Sequence, residues 1–309
     1  MVNDGMNKKL VVIGSSNVDT VIRVPHIPAV GETIMAREVQ LCYGGKGANQ
    51  AVAIARLGGD IALISCIGDD ELGQLFLRAL NEYGVETGAV ELLLGIPTGT
   101  AYINVADHGD NNIVVNAGAN SHVTSDMVER HRNLLDGAAY CIIQLEIPLP
   151  TLYFVAKLCR ELGIRLILNP APAAKLDFES LKGSWMIAPN ESELELLIPG
   201  DGDTFSKARA LHQEGFEHVI VTLGPKGCLH VSDQGESIYP AYDVFPVKDT
   251  TAAGDSFIGA LAFGLSRGCD LESSIELANK AASITVSRAG AQQSLPALAE
   301  IESVFGSVL

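Results

Sequence analysis

The stretch Lys248-Asp249-Thr250-Thr251-Ala252-Ala253-Gly254-Asp255-Ser256-Phe257 sets a carboxylate directly behind three small residues. Ala252, Ala253 and Gly254 let the backbone turn tightly and present several N–H groups together. Phe257, Ala260, Leu261 and Leu265 then recur at helical spacing, so the turn opens into a helix. Such a turn favours anions, because first-turn N–H groups lack intrahelical acceptors and the macrodipole adds to their pull. Asp255 is badly placed beside a polyanion unless it has a chemical task. Taking a proton from a hydroxyl that attacks a phosphoryl group is such a task. The alternative is that Asp255 only complements the dipole of a buried helix.

Gly44-Gly45-Lys46-Gly47-Ala48-Asn49-Gln50 is the second candidate, opening a helix marked by Ala48, Ala51, Val52 and Ala55 and stopped by Gly58-Gly59. It is not a P-loop, since the upstream glycine is missing and Gly47 stands where Ser or Thr is needed. Nor does it have the strand and glycine spacing of a dinucleotide fingerprint. Two readings remain: close helix–sheet packing through small residues, or approach of the backbone to a small polar ligand.

These motifs need a frame. From Thr124 onward strands and helices alternate, which predicts a doubly wound, mostly parallel α/β sheet with helices on both faces. The predicted strands all end in polar residues. Tyr140–Ile143 runs into Gln144-Leu145-Glu146, and Leu166–Leu168 into Asn169-Pro170-Ala171-Pro172. Trp185–Ala188 runs into Pro189-Asn190-Glu191-Ser192-Glu193, and Val219–Val221 into Thr222-Leu223-Gly224-Pro225-Lys226-Gly227. Leu10–Ile13 ends in Gly14-Ser15-Ser16-Asn17-Val18-Asp19. In a parallel sheet these ends share one edge, where α/β folds bind ligands. Asn190 and Glu193 could together hold a hydrated metal ion, or could simply form a capping box.

Other stretches lie outside that sheet. Irregular alternation over Thr20–Tyr43, and a hairpin of Thr98–Val105 with Asn112–Val115, predict a small β flap. Strand Ile61–Ile67, an amphipathic helix from about Asp70 to Tyr83, a long helix Leu271–Val286 and a last helix from Pro296 complete the outline. No repeat or change of composition divides residues 1–309, which are read as a single domain.

Composition narrows the classes further. A net charge of −16 argues against nucleic acid as the main partner. The six cysteines form no C-x-x-C pair and read as reduced core residues of a cytoplasmic protein. The seven histidines lack metal-ligand spacing, no apolar run reaches membrane length, and Met1–Leu10 reads as the approach to a first strand and not as a secretion signal.

Taken together, Gly14–Asp19, Gly44–Gln50, Gln144–Glu146, Asn169–Ala173, Pro189–Glu193, Thr222–Gly227, Asp249–Phe257 and Arg288–Ser294 resemble the phosphofructokinase-B-type carbohydrate kinases from Val11 almost to the C-terminus. Asn17 with Asp19, Lys46 to Asn49, and Gly290-Ala291-Gln292 narrow the resemblance to the ribokinase branch. The resemblance implies ATP-dependent phosphorylation of D-ribose at the 5-hydroxyl, the alternatives being 2-deoxyribose or another sugar. It makes Asp255 the general base and Ala252, Ala253 and Gly254 the anion hole. It assigns Asn17, Val18, Asp19, Gly45, Lys46, Gly47, Ala48, Asn49 and Glu146 to the sugar. Asn190, Thr222, Leu223, Gly224, Pro225, Lys226, Gly227 and Asn279 fall to the nucleotide, and Glu193 to magnesium and phosphates. Asp249, Thr251, Thr285, Arg288, Gly290 and Ser294 match a potassium site, several of them through backbone oxygens. The flap matches a lid that closes over the sugar and pairs two subunits as a homodimer. Asn279 departs from the histidine of some relatives, and Gln293 from a common proline. Two other classes are disfavoured: a non-catalytic sugar sensor by the retained Asp255 turn, and a nicotinamide oxidoreductase by a first strand without its glycine fingerprint.

Overall fold

The computed structural model describes residues 8–309. The opening residues 1–7, part of the stretch read as leading to the first strand, lie outside the described residues. Nine strands form the main sheet: β1 (Leu10–Ile13), β4 (Ile61–Gly68), β5 (Glu86–Leu93), β8 (Tyr140–Ile143), β9 (Arg165–Leu168), β10 (Met186–Ile187), β11 (His218–Thr222), β12 (Cys228–Ser232) and β13 (Gly235–Tyr239). Their order is β13-β12-β11-β10-β9-β8-β1-β4-β5, parallel except for β12, which runs antiparallel to both β11 and the edge strand β13. The doubly wound α/β architecture expected from the alternation of elements is the one observed.

Alternation along buried strands builds both layers. Leu10 and Val12 of β1 face a cluster with Ile142, Ile167 and Ile220, packed under the helices Lys46–Arg56, Ala253–Ser266 and Leu271–Thr285. Val11 and Ile13 face the opposite cluster with Ile143, Leu168 and Val221, under the helices Leu149–Leu162 and Thr204–Gln213. Because successive side chains alternate, a strand apolar at every position supplies both cores at once.

A second sheet has the order β3-β2-β6-β7, formed by β2 (Asn17–Val24), β3 (Glu38–Gly44), β6 (Gly99–Ala106) and β7 (Asn111–Asn116). It starts at Asn17, three residues before the Thr20 boundary expected from sequence. Asn17 and Asp19 therefore do not trail off β1; they pair in β2 with Gly44 and Cys42 of β3. Other departures are local. The expected strand Trp185–Ala188 shrinks to Met186–Ile187, and its continuation at Asn190 makes one parallel bridge to Thr222. The helix expected from about Asp70 is Glu71–Glu82, capped by Asp70, whose Oδ1 accepts the Gly73 N–H at 2.8 Å. The last helix is Leu298–Phe305.

Candidate active site

Asp255 lies in the first turn of the helix Ala253–Ser266 and is only 6% exposed. Ala252 precedes that helix at φ 58°, the one non-glycine residue among those described with a positive φ. The turn points several amides outward. The Ala253 N–H reaches Thr250 O at 3.2 Å, while those of Ala252, Gly254 and Asp255 meet no protein acceptor among the described residues. Ser256 N–H returns to Ala252 O at 2.8 Å and so begins the helical ladder.

The helix Lys46–Arg56 supports Asp255 from the other side. Asn49 Nδ2 donates to its Oδ2 at 2.9 Å, and Gln50 Nε2 to its Oδ1 at 2.9 Å. Gly47 brings this helix against the end of β1: a Cβ there would lie 2.7 Å from Gly14 and from Ser15 N. Gly45, at φ 85°, would put a Cβ 2.7 Å from Asn17 N. The packing reading of these glycines is thus correct, and the packing is what carries Asn49 and Gln50 to Asp255. Lys46 donates its N–H to Glu146 Oε2 at 2.9 Å, and the Ser15 hydroxyl donates to the same oxygen at 2.5 Å.

A cavity of about 170 Å³ at the strand ends is lined by Lys46, Asn169, Asn190, Glu193, Thr222, Ala252, Gly254 and Asp255, among others. Burial pushes the Asp255 carboxyl upward, against the Lys46 charge and the bonds from Asn49 and Gln50; Glu146 adds to the upward push. Burial also raises Glu193, opposed by the Asn190 N–H and Lys46. For Lys46, burial works against its charge, but Asp255, Glu146 and Glu193 together outweigh it and hold the ammonium above its ordinary range. The resemblance assigned Lys46 to the sugar; here it lines the cavity as the cation facing this acidic group.

Asn190 and Glu193 form the capping box, each side chain accepting the other's N–H at 2.8 Å. Both also line the cavity, so the cap aims them at it. Asp19 sits behind, with one carboxylate oxygen over Gly44, where a Cβ would meet it at 2.1 Å. Burial and then the Glu146 charge raise Asp19 to about 7, against an N–H bond from Ala101. Asp19 Oδ1 and Asn49 Oδ1 are buried without a protein partner among the described residues. Asn120, absent from the sequence reading, donates Nδ2 to Asn17 Oδ1 at 2.6 Å and accepts the Ser16 N–H at 2.8 Å. A backbone donor thereby fixes both amides, leaving Asn17 Nδ2 as its free group.

The remaining expected residues lie around this centre. Thr222 lines the cavity, and beyond it Leu223–Gly227 turn, with the Leu223 N–H on Gly227 O at 2.8 Å and Gly227 at φ 97°. Asn279 stands apart from the cavity lining, its Nδ2 on Tyr239 O at 3.4 Å. Asp249 Oδ1 accepts from Thr251 N–H and hydroxyl at 2.9 and 2.6 Å, and Oδ2 accepts from Gly290 N–H at 2.8 Å. That loop is one unit, but three of its expected side chains are engaged elsewhere. Thr285 donates to Ser256 Oγ, Arg288 to Glu300, and Ser294 to Ala291 O. Main-chain oxygens are what these three could offer a cation.

The arrangement can deprotonate a hydroxyl beside a bank of open N–H donors and one ammonium, which is the equipment of phosphoryl transfer. Comparison with known proteins agrees. The family model described as pfkB family carbohydrate kinase matches residues 7–298. The ribokinase of Haemophilus influenzae is 40% identical, over 94% of this chain and 96% of its own. The deoxyribokinase of Salmonella typhi is 35% identical, over 94% of this chain and 96% of its own. The solved structure of Arabidopsis thaliana ribokinase complexed with ribose and ATP superposes with a TM-score of 0.91 at 31% identity, covering 97% of this chain and 99% of that one. Match, fold and site together establish that this chain belongs to the pfkB family of carbohydrate kinases.

Proposed function

We propose that the protein transfers the γ-phosphoryl group of ATP to the 5-hydroxyl of D-ribose. The observation that carries this is Asp255: a buried carboxylate clamped by two amides, next to unpartnered N–H groups and Lys46. Asp255 takes the proton of the attacking hydroxyl, which turns a poor nucleophile into a competent one. The amides of Ala252, Ala253 and Gly254 face the charge that develops on the transferring group, those of Ala252 and Gly254 without an acceptor to give up. Lys46 neutralises phosphate charge from the opposite wall. Asn190, Thr222 and the Leu223–Gly227 turn receive the nucleotide, with Asn279 behind them.

Two buried acceptors, Asp19 Oδ1 and Asn49 Oδ1, call for hydroxyl donors, and the free Asn17 Nδ2 calls for an acceptor. Gly45 and Glu146 shape the floor beneath them. A polyhydroxylated, uncharged sugar meets these demands. A sugar lacking a hydroxyl leaves one group unpaired at a cost, which favours ribose over 2-deoxyribose. The second reading, 2-deoxyribose, has support in the deoxyribokinase relative.

Glu193 has a carboxylate oxygen left over from its cap and fits a magnesium ion shared with substrate phosphates, which neutralises their charge when bound. The Asp249 carboxylate, held in place by three donors, together with the main-chain oxygens of Thr251, Thr285, Arg288, Gly290 and Ser294, fits a potassium ion that would steady the loop leading into the anion turn. The β2-β3-β6-β7 sheet serves as a lid that excludes water, an unwanted phosphoryl acceptor. Its outer face exposes Val39, Leu41, Tyr102 and Val114, and pairing of two such faces would give a homodimer. Six free cysteines suit the reducing cytoplasm, and among the described residues no helix is long and apolar enough to cross a membrane.

The test is a coupled ADP-release assay over D-ribose, 2-deoxy-D-ribose and common hexoses. The highest kcat/KM is expected with ribose. A clear preference for 2-deoxyribose replaces the substrate, and no turnover with any sugar ends the proposal.

A further inference from the structure

The clamp on Asp255 takes its orientation from the main chain. The Ala188 carbonyl can only accept, so Asn169 turns Nδ2 toward it at 3.2 Å and presents Oδ1 inward. That oxygen also only accepts, so Gln50 must offer it Nε2, 3.1 Å away. The same nitrogen lies 2.9 Å from Asp255 Oδ1, so each Gln50 hydrogen has one acceptor and neither is spare. Gln50 Oε1 is occupied in turn by Gln144 Nε2 at 2.6 Å. Gln50 is wholly buried and lines no part of the cavity.

We infer that Gln50 is the positioning residue of the base: aligned by Asn169 from the Ala188 carbonyl, it holds the Asp255 carboxylate in one rotation and favours its charged form. This rests on Asp255 acting as the base. Protonation would turn one of the two oxygens into a hydroxyl, a poorer acceptor for its amide N–H than a carboxylate oxygen, so the clamp favours the ionised form. Of the charges facing Asp255, Lys46 helps it stay ionised, while Glu146 and Glu193 oppose it, as does burial. With one bond from each amide, each carboxylate oxygen keeps a lone pair for the sugar hydroxyl.

The experiment compares Gln50→Met with the parent across pH 5–9. Loss of one hydrogen bond to a charged group should move the acidic limb of kcat/KM upward by about one to two pH units. The high-pH plateau should stay within about tenfold of the parent, and KM for ATP within about twofold. A uniform loss at every pH with the limb unmoved means that Gln50 is only packing, and overturns the inference. Gln50→Glu keeps the shape and guards against a Met variant that fails to fold; its limb should also rise, because two facing carboxyls share a proton. An unmoved limb there overturns the inference equally. Asp255→Asn run in parallel separates the two failures: retained turnover in that variant defeats the base itself, whereas an inert variant with unmoved Gln50 limbs defeats Gln50 alone.

Discussion

Gly47→Ala tests whether close packing and catalysis are one requirement at the start of the Lys46–Arg56 helix. The added Cβ would lie 2.7 Å from Gly14 Cα, Gly14 C and Ser15 N, all backbone, where ordinary contact begins at 3.4 Å. No rotamer change relieves this, so the helix start must retreat by about 0.7 Å at an overpacking cost of about 1–3 kcal/mol. That helix start carries the Lys46 N–H bond to Glu146 and both amides on Asp255. Misplacing groups around a base by most of an ångström costs about 10–100-fold in rate. The expected result is that drop in kcat by coupled ADP release, with KM for ATP within about threefold. A fall in Tm of about 2–4 °C per kcal/mol should accompany it. Gly88→Ala is the control, since a Cβ there meets nothing within 4 Å and should change neither quantity. Normal kcat and Tm in Gly47→Ala would show that the junction yields freely, and would sink the reasoning.

Asp255→Asn should lower turnover by about 10²–10⁴-fold while ATP binding, measured by calorimetry, stays within a few-fold; an active variant removes the base. Asp19, raised to about 7, should make sugar affinity depend on pH in the neutral range. If the ionised form accepts the sugar hydroxyls, KM for ribose falls as pH rises from 6 to 8 by up to about tenfold, and a flat KM over that window excludes it. The stability effect has the opposite sense. The folded state holds a proton on Asp19 that the unfolded chain has released, so this contribution is fully present below pH 3.8 and is lost as pH rises through about 7. An Asp19→Asn variant should show a flatter dependence of Tm on pH across that range.

The sheet was legible because its strands are short apolar runs ending in polar residues, and the edge they share needs no long-range information beyond parallel pairing. Glu86–Leu93 and Gly235–Tyr239 were not read as strands, since they are the two edges of the sheet and polar or exposed residues interrupt their apolar pattern. Nor was Cys228–Ser232, just inside the second edge, where His230 and Ser232 break the apolar run. Asn17 and Asp19 were read as the tail of β1 because only Gly14, Ser15 and Ser16 separate it from β2. Taking Gly14-Ser15-Ser16 as the break would have exposed an alternating Asn-Val-Asp-Thr-Val-Ile run. Asp255 and its anion turn lie within ten consecutive residues, and local chemistry sufficed to find them. Gln50, Asn120, Gln144 and Asn169 were missed as functional groups because their partners are about 100 to 200 positions away along the chain. A buried amide carries no local mark of what it will hold.

β2 has one further consequence. Asn17 and Asp19 are the first and third residues of a continuous eight-residue strand whose middle lies in the second sheet. Under the proposed function, in which Asn17 and Asp19 hold the sugar and the second sheet covers it, gripping and covering would be one mechanical act of a single strand. Were that strand to move outward, the groups proposed to hold the sugar would depart with the cover, and release would need no separate trigger. By the same token, loosening the β1–β2 junction would weaken capture and shielding together, and neither trait could be tuned without moving the other.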